Sequence, residues 1–305
     1  MSLSPPEFVA QLDAESDSKR VSLLGDLASL TKARLSLMVV FTTAAGYCLG
    51  ANGDWAVSGL LFAVLGTSLA AASAAALNQW LEVDVDLLME RTKTRPLPAG
   101  RMQKGTALWL GIVLGILGVG GLWATTSFLA AALAFATIIV YLFAYTPLKR
   151  RSAWCTMIGA VSGAIPPVIG WAASGSATTW AAAVLFGILF LWQIPHFLAI
   201  AWMYKDEYEG AGFVMLKPKD VHGTATAIEA LIFALALAVV SFMPLWLGKV
   251  YPVYGVGAGL FNLVFCGSAL VFLLDRSRVV ARRLFFTSII YLPGILLLLA
   301  FARRS

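Results

Sequence analysis

Residues 55–101 read WAVSGLLFAVLGTSLAAASAAALNQWLEVDVDLLMERTKTRPLPAGR, and the change of character after Leu77 decides the fold. Up to Leu77 the run is apolar or small, and as a helix it is long enough to cross the roughly 30 Å hydrocarbon core of a bilayer. From Asn78 onward, Glu82, Asp84, Asp86 and Glu90 crowd together with Arg91, Lys93, Arg95 and Arg101 before another greasy run begins. A chain this apolar places such a cluster at a membrane face rather than in the lipid.

The rest of the chain has the same character. Of its 305 residues, 60% are hydrophobic and 12% charged, and mean hydropathy is +0.84. A soluble domain carries about 25% charged residues, so this is an integral membrane protein. Apolar runs fall at 35–51, 55–77, 107–122, 128–145, 154–173, 180–202, 227–247, 254–274 and 284–302. They predict an all-α, polytopic membrane helix bundle of about nine transmembrane helices. The runs are continuous, not alternating as barrel strands would be. Small residues such as those at 70–76, Gly111, Gly115 and Gly118 would let helix backbones approach closely, or simply fill space.

Basic residues orient the bundle. With nine spans and a cytoplasmic N-terminus, 19 of the 22 Lys and Arg fall on inside segments, and only Lys249, Arg303 and Arg304 outside. That is the positive-inside pattern. It accounts for the net charge of +6 without a nucleic-acid partner. Residues 1–24 have no signal-peptide core and are too acidic for a transit peptide. They read as a disordered cytoplasmic tail ahead of a single transmembrane domain, 25–305, in a prokaryotic plasma membrane. Cys48, Cys155 and Cys266 sit singly in apolar runs and read as unpaired thiols.

Asn78, Glu82 and Asp86 stand at i, i+4 and i+8, so a helix that continues past the membrane surface carries them on one face. Oxygen donors in that pattern suit Mg²⁺, which binds one or two carboxylates and leaves its other positions to water and phosphate oxygens. The competing reading is a salt-bridged helix end, with Glu82 and Glu90 paired to Arg91 or Arg95. A second acidic group, Asp206, Glu207 and Glu209, follows the sixth run at the same face, as a weak internal duplication would give. Arg91, Lys93 and Arg95, with Lys149 and Arg150 in the 145–151 stretch YTPLKRR, supply cations for a diphosphate.

Four stretches carry a resemblance: NQWLEVDVDLLMERTKTRPLP (78–98), YTPLKRR (145–151), GAIPPVIGW (163–171) and WQIPHFLAIAWMYKDEYEGAGFVML (192–216). Over roughly residues 25–300 the chain resembles the intramembrane aromatic prenyltransferase superfamily, and WQIPHF points to the branch that farnesylates heme. The four polar positions of that family's first motif fall on Asn78, Gln79, Glu82 and Asp86, with Gln79 and Glu82 in place of Asp. In the second motif Asp206 matches, but Gly210 stands where Asp is usual, which leaves Glu207 or Glu209 as substitutes. Residues 30–36, LTKARLS, resemble the family's Lys-Pro-Arg with Ala33 for Pro, adding Lys32 and Arg34.

The resemblance implies an enzyme in which Mg²⁺ on Asn78, Glu82, Asp86 and Asp206 binds farnesyl diphosphate, aided by Lys32, Arg34, Arg91, Arg95, Tyr145, Lys149 and Arg150. The farnesyl cation would add to a vinyl group of heme B, and water would complete heme O; a heme A synthase is the candidate recipient. His196 is either an axial heme ligand or a histidine bonded to a backbone carbonyl of a neighbouring helix. His222 reads as solvated, and Trp192 and Trp202 as interfacial anchors. The alternatives are a prenyltransferase for a quinone or chlorophyll precursor, an ion-coupled transporter, and a non-catalytic heme-binding assembly factor. Transport would place its carboxylates inside the helices.

Overall fold

The computed structural model describes residues 22–51, 56–176 and 179–304, with the side chains of Arg34 and Leu35 outside the described set. Eleven helices follow in order among those residues: α1 (Leu23–Leu30), α2 (Ala33–Gly50), α3 (Val57–Asp86), α4 (Lys104–Thr125), α5 (Phe128–Leu148), α6 (Cys155–Ala173), α7 (Trp180–Met203), α8 (Lys205–Gly210), α9 (Thr224–Trp246), α10 (Pro252–Leu274) and α11 (Arg278–Phe301). Among the described residues the one β-type pairing is an isolated bridge, Val250 to Arg303. Eight helices are long and apolar enough to cross a membrane; α2 contributes only a shorter apolar stretch, Ser36–Gly50. The ninth expected span is thus the short one, because Lys32 and Arg34 cut its apolar run at the start. The structure also begins α1 at Leu23, inside the expected tail, with the Ser22 hydroxyl accepting from Gly25 N. Residues 1–21 of that tail lie outside the described residues.

Loops on the two sides of the bundle differ in chemistry. On one side, Arg101 clamps Asp26 at 2.8–3.2 Å, Arg278 meets Asp206 at 2.5 Å, and Trp202 Nε1 donates to Arg276 O at 2.7 Å. On the other, Ser176 donates to Gly50 O, Arg303 to Leu49 O, and Arg304 N to Lys249 O. Most of the charge therefore gathers at one face.

Small residues set the closest helix contacts. A Cβ on Gly170 of α6 would lie 2.0 Å from Thr43 O, and one on Gly46 of α2 would lie 1.9 Å from Pro167 O. Likewise a Cβ on Gly118 of α4 would lie 2.6 Å from Ala70 N of α3. In lipid, where apolar burial gives no net drive, such close approach is what holds helices together. Gly111, Gly115 and Gly118 of α4 are therefore contacts, not filler. A buried polar chain ties α9, α10 and α11: Tyr291 OH donates to Asn262 Oδ1 and Asn262 Nδ2 to Ser241 Oγ, at 2.7 and 2.9 Å.

Candidate active site

Helix α3 runs to Asp86, 30 residues in all, so Asn78, Glu82 and Asp86 occupy its last turns. All three are buried and line one cavity of about 1250 Å³, walled by α2, α3, α5, α6, α7 and α11. Asn78 Nδ2 donates to Glu82 Oε2 at 2.8 Å and to Thr146 Oγ1 at 3.1 Å. Lys149 Nζ lies 2.6 Å from both Glu82 oxygens. It donates to Oε2; Oε1, off the donor directions, has no hydrogen-bond partner. Arg95 grips both oxygens of Asp86 at 2.7 and 2.8 Å.

Two irregular turns bring the cations in. Lys32, between α1 and α2, has φ of 50°, a left-handed conformation that costs a non-glycine residue energy and is held by its surroundings. Its ammonium donates to Asn78 Oδ1 at 3.1 Å and to Tyr141 OH at 3.2 Å. Burial, then the neighbouring Arg95, pull its pKa down to about 8. In α5, residues Val140–Tyr145 form a π-helical turn just before Pro147, which has no N–H to donate. The wider turn aims Tyr141, Tyr145 and Lys149 into the cavity.

Loop 87–103 closes one side. Thr92 Oγ1 donates to Asp86 O at 2.8 Å, and Arg91 donates to Tyr208 OH of α8 at 3.0 Å while lying over the Tyr204 ring. Lys93 only pairs with exposed Glu90, and Asp84 with Lys104.

The structure gathers Lys32, Asn78, Glu82, Asp86, Arg91, Arg95, Tyr145, Lys149 and His196 around the cavity. It does not bring Asp206 or Arg150 there. Asp206 lies in the first turn of the six-residue α8, with its side chain 74% exposed and taken by Arg278. Arg150 follows Lys149 by one residue, so when Lys149 turns inward Arg150 turns to solvent. Gln79 also faces away: Nε2 donates to Ser29 O and Leu30 O, satisfying the last carbonyls of α1. Glu209 pairs loosely with Lys205 at 3.9 Å. Arg34 lies outside the described side chains.

Farther along the cavity, His196 stacks between Trp192 and Phe285, ring centres 5.1 and 4.9 Å away. Ser288 Oγ donates to Phe285 O at 2.5 Å, so at the 2.7 Å contact with His196 it is Nδ1–H that donates to Ser288 Oγ. No described residue bonds Nε2. The partner is thus a hydroxyl, not the expected backbone carbonyl. Trp192 is buried and donates to Ser288 O, not an interfacial anchor. Tyr141, Thr146, Ser288 and Arg282 were not singled out from sequence; only the aromatic spacing before Pro147 hints at the first two.

Among the described residues no three His, Cys, Asp or Glu side chains cluster at metal-binding distance. The donor set here is instead two carboxylates and an amide oxygen, with buried Glu82 Oε1 held by the Lys149 ion pair alone, and it fits a hard cation such as Mg²⁺.

A buried carboxylate face met by Lys and Arg inside a greasy cavity defines a membrane enzyme that handles a polar, multiply charged head on an apolar body. The chain belongs to the UbiA prenyltransferase family, whose model matches residues 39–290. It is 46% identical over 272 residues to the protoheme IX farnesyltransferase of Opitutus terrae, covering 89% of this chain and 92% of that one. It is 44% identical to the enzyme of the same name from Solibacter usitatus, over 90% and 98%. Among solved structures it resembles a digeranylgeranylglyceryl phosphate synthase, with a TM-score of 0.78 at 15% identity over 92% and 98% of the two chains. A UbiA homologue from Archaeoglobus fulgidus bound to GPP and Mg²⁺ matches with a TM-score of 0.63 at 14% identity over 90% and 98%. These last two likenesses concern the fold.

Proposed function

We propose that this protein transfers the farnesyl group of farnesyl diphosphate to a vinyl group of heme B, with addition of water, to give heme O. The observation that carries the reading is a single cavity with a cation-paired carboxylate face at one end and aromatic-flanked His196 at the other. Its volume, about 1250 Å³, exceeds the range of ordinary ligand pockets, as two large apolar substrates require. The names of its relatives support the choice of heme as acceptor.

Lys149 and Arg95 exchange their carboxylate partners, and Lys32 and Arg91 their amide and phenol partners, for diphosphate oxygens when substrate arrives. Mg²⁺, held by Asn78, Glu82 and Asp86, supplies charge neutralisation of the diphosphate when bound. The metal bound with GPP in the Archaeoglobus homologue supports this requirement. Arg278 lines the cavity and holds Asp206 outside it, so Asp206 joins the metal's ligands only if Arg278 releases it. The four cations stabilise the leaving diphosphate as the allylic C–O bond breaks. Apolar walls keep water from the farnesyl cation. Its C1 bonds the terminal vinyl carbon; water adds at the carbon next to the porphyrin and loses its proton. His196 Nε2 binds the heme iron, with Nδ1–H fixed by Ser288 as a metal-bound histidine requires.

The charge asymmetry of the loops supports a multi-pass protein of a bacterial inner membrane with its active-site loops on the cytoplasmic side. The test is to give purified protein heme B, farnesyl diphosphate and Mg²⁺ and to read the porphyrin product by mass. Heme O is expected, and none with EDTA. Prenylation of a phenolic acid with heme unchanged would move the assignment to quinone-precursor chemistry.

A further inference from the structure

An axial histidine fixes the heme iron but leaves the ring free to turn about the iron–nitrogen bond. Which edge of the porphyrin faces Glu82 and Lys149 must therefore be set by a second anchor. The heme edge opposite to reaction carries two propionates, and buried carboxylates need cations or water.

Helix α11 presents a candidate. Arg278, Arg282, Phe285 and Ile289 recur every three or four residues and line the cavity. Ser288, which holds His196, lies six residues beyond Arg282, so Arg282 stands roughly 9 Å nearer the charged face. Arg282 has no ion pair or hydrogen bond among the described residues; its guanidinium lies 5.6 Å from the centre of the Phe286 ring. Arg278, one turn earlier, is taken by Asp206. The first turn of α11 has no acidic residue, so Arg282 sits without a counter-ion toward the positive end of a helix dipole. An anionic ligand supplies that counter-ion.

We propose that Arg282 binds the heme propionates at the mouth of the cavity and so fixes the rotation of the porphyrin about the iron–nitrogen bond. The proposal rests on heme being the acceptor. Arg283 provides the control, since it carries the same topological charge one residue on but does not line the cavity.

The experiment titrates purified wild type, Arg282→Gln and Arg283→Gln with heme B and with its propionate dimethyl ester, following Soret absorbance, and measures KM for both substrates. Arg282→Gln should weaken heme B binding about tenfold, the loss of a charge-assisted hydrogen bond. It should leave KM for farnesyl diphosphate unchanged and abolish the preference for the free acid over the ester. Arg283→Gln should behave as wild type. Equal weakening in both variants would reduce Arg282 to a topology signal, and a raised KM for farnesyl diphosphate alone would make it a diphosphate ligand. Wild type that binds acid and ester alike overturns the role of Arg282 only; wild type that binds neither overturns the heme function with it.

Discussion

Glu82 shows how much of the site a single residue reports. Its carboxylate is buried, so its charge is tolerable only beside the ammonium of Lys149 at 2.6 Å. Removing one partner of a buried pair leaves the other uncompensated, at a cost of about 3–5 kcal/mol. Lys149→Met should therefore lower the unfolding temperature in detergent, and added Mg²⁺ should restore part of it if Glu82 is a metal ligand. No recovery with Mg²⁺ would remove Glu82 from the metal site. At this scale the sequence was legible where helix period alone fixes direction: Asn78, Glu82 and Asp86 share a face because they are four apart. It was not legible where a partner from elsewhere decides. Gln79 is one residue from Asn78, yet it turns to the end of α1, and Asp206 is captured by Arg278 across 72 positions of sequence.

At the scale of elements, close packing and caps decide whether α2, α6 and α9 keep their places. Gly170→Val would drive a side chain into the backbone of α2 at Thr43. It should cost at least about 2 kcal/mol in overpacking. Gly120→Ala, with nothing within 4 Å, should stabilise α4 slightly; equal effects in unfolding assays would contradict the packing account. The start of α9 depends on Asp220, which accepts from Ala225 N, Thr226 N and Thr226 Oγ1 at 2.6–3.1 Å. Burial pushes this carboxyl up, but those donors outweigh it and hold it below its ordinary value of 3.8. A depressed carboxylate stabilises above the unfolded pKa and stops doing so as pH falls through the folded one. Asp220→Ala should thus cost about 1 kcal/mol at neutral pH and nothing in strong acid. A loss of equal size at both pH values would contradict the cap. The span positions were readable because apolar runs need only length; the π turn in α5 was not, since its cause, Pro147, only announces that the helix changes.

The whole molecule is a bundle whose polar chemistry lies toward one face and whose cavity reaches into its apolar interior. Lys93→Cys and Lys249→Cys probe its sidedness: an impermeant thiol reagent should label the second from outside intact cells and the first only after lysis. The reverse would invert the orientation. The union of the carboxylate–cation cluster and His196 in one cavity emerges only from the fold, since residues from α2, α3, α5, α7 and α11 meet there. The most direct test is the mass of the porphyrin formed by Asp86→Asn beside wild type, with heme B bound equally to both. Asp86 touches Arg95 and is remote in role from His196, so the variant should still bind heme but form heme O at least about 100-fold more slowly. Heme O at the wild-type rate would contradict the account at its centre, since the carboxylate face of α3 would then have no part in the chemistry.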